Sequence, residues 1–199
     1  MSAQAELFEI DAPTLPQGLR YREDVLSPGQ ERFLVCYIAQ LPLQPFEFAG
    51  GFKGNRRVLS FGFRYDYHQQ QLIEAVPIPR ELDEIRRTVA LWSGHDPAAL
   101  RQALVTEYAP GAGIGWHRDK KMFGDVIGLS LLAPCTFRLR RRLADKLGGR
   151  HGDKWQRVSL EAAPRSAYVL SGQARNVWEH SIPPLERLRY SITFRTFAA

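Results

Sequence analysis

Apolar residues recur at two different spacings along this chain, and the spacing changes near residue 104. In SPGQERFLVCYIAQLP, Phe33, Leu34, Tyr37, Ile38 and Leu41 follow one another three and four apart, the period of one face of an α-helix. Ser27 supplies an N-cap, Pro28 suits the first helical position and Gln30 can close a capping box, so the pattern predicts a helix over 28–40. Leu82, Ile85, Val89 and Trp92 predict a second helix over 80–93, ended by Ser93-Gly94. DPAALRQ adds one short turn after it.

From residue 104 the stretches LVTEY, VIGLSLL, CTFRLRR, WQRVSL, AYVLS and LRYSITFRTF are short, β-branched or aromatic, and are separated by Gly, Pro and charged turns. Short strands in series favour a sandwich or barrel over a parallel βαβ fold. The predicted architecture is α+β and mainly β: N-terminal helices buttressing an antiparallel jelly roll. RRVLSFGFRYDY, ahead of the second helix, alternates as well. As one uninterrupted strand it would place Leu59, Phe61, Phe63, Tyr65 and Tyr67 on a single face. The length of 199 residues suits one domain with a substantial core.

Charge changes this picture in one place. The formal net charge of +6 resides in the segment from Arg138 to Arg157, while the rest of the chain balances. Such a cluster is either a solvated hairpin or a face for a polyanion. No run of 18 apolar residues is present, and the acidic opening MSAQAELFEIDAP does not read as a signal peptide. Cys36 and Cys135 are too few for a disulfide scaffold or a cysteine zinc site, so a reducing, cytoplasmic setting is the expectation.

The candidate chemistry begins at GIGWHRDKK. His117 and Asp119 stand two apart after the turn in EYAPGAG, so in extended chain they project to the same side. His180, in NVWEHSIPP, is a third candidate donor, expected in a loop between strands. Two histidines and one carboxylate are the facial set of non-haem Fe(II) oxygenases, which leaves positions open for cosubstrate and oxygen. No H-x-H-x-D cluster suggests a metallohydrolase. RYSITFR then places Arg189, Ser191, Thr193 and Arg195 on one strand face and Tyr190, Ile192 and Phe194 on the other. Two guanidiniums on an inward face need anions, either a bound dicarboxylate or acidic side chains elsewhere in the chain.

Together, YAPGAGIGWHRD, His180 and RYSITFR resemble the AlkB family of Fe(II)/2-oxoglutarate dioxygenases. The match is close over 104–119 and 164–197, looser over 56–68, where GFRY resembles an aromatic lid strand, and not evident before about residue 55. The resemblance implies a double-stranded β-helix core over 104–199 beneath an N-terminal region, 1–103, that recognises the nucleotide. It implies that His117, Asp119 and His180 bind Fe(II), and that Arg189 and Tyr108 hold the distal carboxylate of 2-oxoglutarate. Arg195 would lie near its chelating end, with Thr106 and Ser191 beside it, at positions where many members have Asn. The implied reaction consumes O2 and 2-oxoglutarate, releases succinate, hydroxylates an N-alkyl carbon and frees the base with loss of an aldehyde.

The implied partner is DNA or RNA with alkylated bases, bound by a monomer without a membrane. Phe63, Tyr65, Trp116 and His117 are candidate stacking surfaces, and Arg140, Arg141 and Arg142 candidate phosphate contacts. Lys121 stands where the best-known repair members carry an acid four residues after the first iron histidine. A lysine cannot accept from an exocyclic amine, so base reading is expected to differ if Lys121 reaches the pocket. Two other readings stay open: the same oxygenase chemistry on a protein side chain or small molecule, and a jelly-roll binding module without turnover.

Overall fold

Alternation in RYSITFR decides what lies on each side of the largest sheet. The computed structural model describes residues 15–47, 53–67, 69–143 and 154–198. Thirteen strands are defined among them: β1 (Leu19–Arg22), β2 (Gln44–Glu47), β3 (Lys53–Phe61), β4 (Phe63–Asp66), β5 (Gln71–Glu74), β6 (Gln102–Tyr108), β7 (Ile114–His117), β8 (Phe123–Leu131), β9 (Cys135–Arg142), β10 (Trp155–Ala162), β11 (Ala167–Leu170), β12 (Glu179–Ile182) and β13 (Arg189–Phe197). Seven pair in the order β1-β11-β8-β13-β6-β3-β2, four in the order β10-β9-β12-β7, and β4 pairs with β5. Every pairing is antiparallel. The fold is a jelly roll with few helices. β13 lies at the centre of the large sheet, between β8 and β6.

The apolar face of that sheet is covered by α1 (Pro28–Ala39) and α2 (Asp83–Ser93), which match the predicted helices closely. The Ser27–Gln30 capping box forms in both directions, and Gly94 ends α2 in the left-handed conformation at φ 76°. Leu34 and Ile38 from α1 and Ile85 and Val89 from α2 pack with Val105, Leu129, Ile192 and Phe194. Each such side chain stabilises the fold by about 1.5–3 kcal/mol. Phe33, part of the same helical pattern, is 53% exposed. Residues 80–82 form a 3-10 turn leading into α2, and Pro97–Ala99 form another.

The other face of the large sheet meets the four-stranded sheet. Phe137, Leu139, Val126, Tyr168 and Ile182 build a second core there. The strands β1, β2 and β3, from the N-terminal half, are edge or near-edge members of the large sheet.

The expected single stripe through RRVLSFGFRYDY is broken at Gly62. Its φ is +74°, and a Cβ there would collide with the Arg101 carbonyl; glycine meets both constraints. Leu59 and Phe61 join the helix-side core before the break. After it, the chain leaves the large sheet and pairs as β4–β5. Tyr65 and Tyr67 then line the cavity, while Phe63 turns aside and packs edge-on against Phe197, ring centroids 4.9 Å apart. The predicted face therefore separates into two surfaces with different neighbours.

Candidate active site

His117 ends β7, and His180 lies within β12 rather than on the loop expected for it. The register of the small sheet places them directly opposite each other, with ring centroids 4.3 Å apart. Asp119 follows β7 by two residues, and its Oδ2 lies 3.7 Å from His180 Nε2. His117 Nδ1 donates to the Gly115 carbonyl at 2.8 Å, which leaves Nε2 as its acceptor nitrogen.

Arg195 fixes the third donor. Its Nε and Nη2 donate to Asp119 Oδ1 at 3.0 and 2.7 Å, and its Nη1 to Gln102 Oε1 at 2.9 Å. Oδ2 is left facing the histidines. Burial would raise the Asp119 carboxyl, but Arg195, followed by His180 and His117, holds it well below the usual carboxylate range. Burial and then the neighbouring His117 push His180 down to about 3, and burial lowers His117 as well. The site thus carries one carboxylate and two neutral imidazoles near pH 7, the protonation state a metal ligand set requires. As the side chains stand, no group of three or more His, Cys, Asp or Glu among the described residues is placed to hold a metal ion. In residue type, however, two imidazoles and one carboxylate are the donors that suit an Fe(II) ion with open positions.

At the other end of β13, Arg189 is 1% exposed and faces the same interior. Its Nε donates to Ser130 Oγ at 3.1 Å, its Cζ lies 5.3 Å from the Tyr108 ring centroid, and its Nη1 is buried without a hydrogen-bond partner. A buried guanidinium nitrogen left unpaired is costly, and a carboxylate fits it. Tyr108 pairs with Arg189 across β6–β13, and Thr106 with Ser191. All four side chains, with Thr193 and Arg195, line one cavity of about 1020 Å³ that also reaches His117, Asp119 and His180.

Several site residues lay outside the sequence reading, two of them through contacts that only the fold makes. Ser130 on β8 is one; only strand pairing brings it to Arg189. Arg175, in the short helix α3 (Gly172–Asn176), is the other. It donates to the carbonyls of Lys120, Phe123 and Gly124, each at 2.8 Å, and so pins the chain just after Asp119.

At the cavity mouth Lys121 does not reach the pocket. The chain turns there, with Phe123 N donating to Lys120 O at 3.0 Å, and Lys121 is exposed and outside the cavity. Lys120 faces the cavity instead, with Nζ 4.6 Å from the Tyr65 ring centroid. Trp116 lies at the rim, with Arg140 4.4 Å over its ring. The three consecutive arginines divide between faces. Arg140 packs between Trp116 and Trp155 and donates to Glu179 at 2.7 Å. Arg142 shares its parity, whereas Arg141 turns to Gln156 and Trp178. The tip of this hairpin, including Lys146 and Arg150, lies outside the described residues.

This geometry coincides with a family match. The profile of the 2OG-Fe(II) oxygenase superfamily matches residues 46–195. The chain belongs to that superfamily. It is also similar to AlkB-type proteins: the chain is 27% identical over 191 residues to the tRNA (carboxymethyluridine(34)-5-O)-methyltransferase alkbh8 of Xenopus tropicalis, covering 88% of this chain and 27% of that protein. It is 29% identical over 133 residues to the alpha-ketoglutarate-dependent dioxygenase AlkB of Salmonella typhimurium, covering 61% and 56%. The chain therefore spans about a quarter of the length of the alkbh8 relative and just over half of that AlkB. The solved structure of OsALKBH1 shares the fold, with a TM-score of 0.64 at 17% identity over 92% of this chain and 98% of that one. This member of the superfamily is a dioxygenase, and the superfamily uses Fe(II), 2-oxoglutarate and O2.

Proposed function

We propose that this AlkB-family dioxygenase oxidatively dealkylates bases in DNA or RNA. The observation that carries the reading is the form of its cavity: about 1020 Å³, reaching from the three donors and Arg189 to an aromatic, basic mouth. That exceeds what a small dicarboxylate needs and leaves room for a base taken out of its stack.

His117, Asp119 and His180 are assigned to Fe(II). When bound, iron with 2-oxoglutarate and O2 supplies the oxidising power that hydroxylates an unactivated C–H bond. Arg189 is assigned to the distal carboxylate, with Tyr108 beside it, because its Nη1 needs an acceptor. Arg195 orients Asp119 so that one oxygen remains for the metal. Thr106 and Ser191 line the cosubstrate end. Tyr65 and Trp116 are assigned to the target nucleotide, and Arg140 and Arg142 to flanking phosphates; Phe63 and Lys121 are withdrawn from the base pocket.

The test supplies the protein with Fe(II), 2-oxoglutarate and a panel of singly modified DNA and RNA oligonucleotides, and reads mass loss and succinate together. Loss of the alkyl mass with one succinate per event supports the reading. If no oligonucleotide changes mass while a peptide or small molecule gains oxygen, base dealkylation is rejected and the oxygenase acts elsewhere.

A further inference from the structure

The aromatic rings at the cavity mouth are already covered by positive charge. Phe46, Tyr65 and Tyr67 form one cluster there: Phe46 meets Tyr67 edge-on at 5.7 Å, and Tyr67 meets Tyr65 edge-on at 4.9 Å. The Arg56 guanidinium lies 4.0 Å over Phe46, and Lys120 Nζ lies 4.6 and 5.0 Å from the centroids of Tyr65 and Tyr67. Arg56 reaches this place because β3 pairs it with Tyr108, on the cavity side of the large sheet.

The acids in the same space do little to offset these cations. Asp119 is held by Arg195. Asp66 accepts from the Gln69 amide and lies 3.9 Å from Arg64, and Glu47 is exposed at the end of β2. Lys53, Arg64 and Arg118 add further positive charge to the lining.

A cationic base is recognised by an open aromatic face or by a carboxylate. Here the ring faces carry Arg56 and Lys120, and a positive base stacked on them would stand within a few ångströms of a like charge. A base with uncharged ring nitrogens or carbonyls, or with an acidic group, meets the opposite situation. Arg56 and Lys120 are donors without any acceptor function, and both can swing from the rings to bond its edge.

We infer that Arg56 and Lys120 set the charge specificity of the cavity, so that it takes neutral or anionic, acceptor-rich bases and disfavours cationic alkylated ones. This inference rests on the nucleic-acid reading above. Asp119 stands beside Lys120, so the variants below keep Asp119 unchanged and the readout is a ratio rather than a rate.

The experiment uses the full chain and two single-stranded oligonucleotides identical except at one base. One carries 1-methyladenine, cationic near neutral pH; the other carries 1,N6-ethenoadenine, which is neutral. Turnover of each is read by mass for wild type, for Arg56→Gln/Lys120→Gln, and for the charge-keeping pair Arg56→Lys/Lys120→Arg. Removing two charges a few ångströms from the base should raise the methyl-to-etheno ratio about 10-fold or more, and the charge-keeping pair should return it toward wild type. A ratio that stays constant across all three proteins overturns the charge assignment while leaving nucleic-acid dealkylation standing. If none of the proteins alters either oligonucleotide, the charge assignment is overturned for these bases, and if the whole DNA and RNA panel is unchanged as well, the nucleic-acid reading fails with it.

Discussion

The two faces of β13 show how one sheet serves two purposes. Toward α1 and α2 it presents Tyr190, Ile192 and Phe194, which are almost fully buried in an apolar cluster. Toward the small sheet it presents Arg189, Ser191, Thr193 and Arg195, also buried but polar or charged. Neighbouring residues, about 3.3 Å apart along the strand, thus sit in opposite environments. The helix side is closed by hydrocarbon and supplies cohesion. The cavity side spends stability, since two guanidiniums there are desolvated and, of these two, only Arg195 finds a carboxylate among the described residues. The difference teaches that the cavity face, unlike the helix face, holds a buried guanidinium nitrogen whose desolvation no hydrogen bond offsets, which is why Arg189 is proposed for a carboxylate.

The largest effects should come from breaking the cavity side at its donors. His117→Ala and Asp119→Asn each should reduce 2-oxoglutarate-dependent succinate release to background while the folded circular-dichroism spectrum persists. Asn is chosen because its amide oxygen still accepts from Arg195. Near-normal succinate release from either variant would remove that residue from the metal set.

Breaking the helix side should give the converse result. Phe194→Ala opens a cavity in the apolar cluster and should cost about 3–5 kcal/mol of stability in urea unfolding. Its saturation curve for 2-oxoglutarate, measured where the variant is folded, should stay close to wild type. A large affinity change would mean that the two faces are coupled through the strand.

A smaller effect sharpens the comparison at Arg189. Arg189→Lys keeps the charge and loses the planar fork, so the apparent affinity for 2-oxoglutarate should fall about 10-fold, in line with roughly 1.5–3 kcal/mol for a charge-assisted bond. An unchanged curve would assign the buried guanidinium to structure alone.

The smallest effect concerns the hairpin. Arg142→Gln should lower the log–log salt slope of oligonucleotide binding by roughly 0.7–0.9, whatever the sequence bound. Arg141→Gln, on the opposite face, should leave the slope unchanged. Equal slopes for both variants would show that strand parity does not sort these arginines.

Part of this site was legible because it is written in short-range order. The faces of RYSITFR, the same-side pair His117 and Asp119, and the Ser27–Gln30 cap all depend on residues within a few positions of each other, where strand or helix geometry alone sets direction. The sequence left questions open or misled where local geometry is interrupted. Whether Lys121 reaches the pocket could not be read from spacing, because a turn hydrogen bond at Lys120 redirects the chain and leaves Lys120 facing the cavity. Alternation through residues 56–67 gave one aromatic face, but Gly62 divided it between the core and the mouth.

The sequence by itself determined which residues are candidates for chemistry, which strand face is polar and which family the chain resembles, since each follows from residue type and spacing of two to four positions. Tertiary structure alone decided which of these groups meet. The pairing of β12 with β7 brings His180 opposite His117, 63 residues away in the chain. The sheet order places Ser130 beside Arg189 and leaves one guanidinium nitrogen without a partner. The packing of β2, β3 and β4 puts Arg56 over the aromatic mouth, and the turn between β7 and β8 brings Lys120 to the same rings. Such meetings depend on sheet register and turn direction, which are set by the packing of the whole chain and not by any short stretch of it.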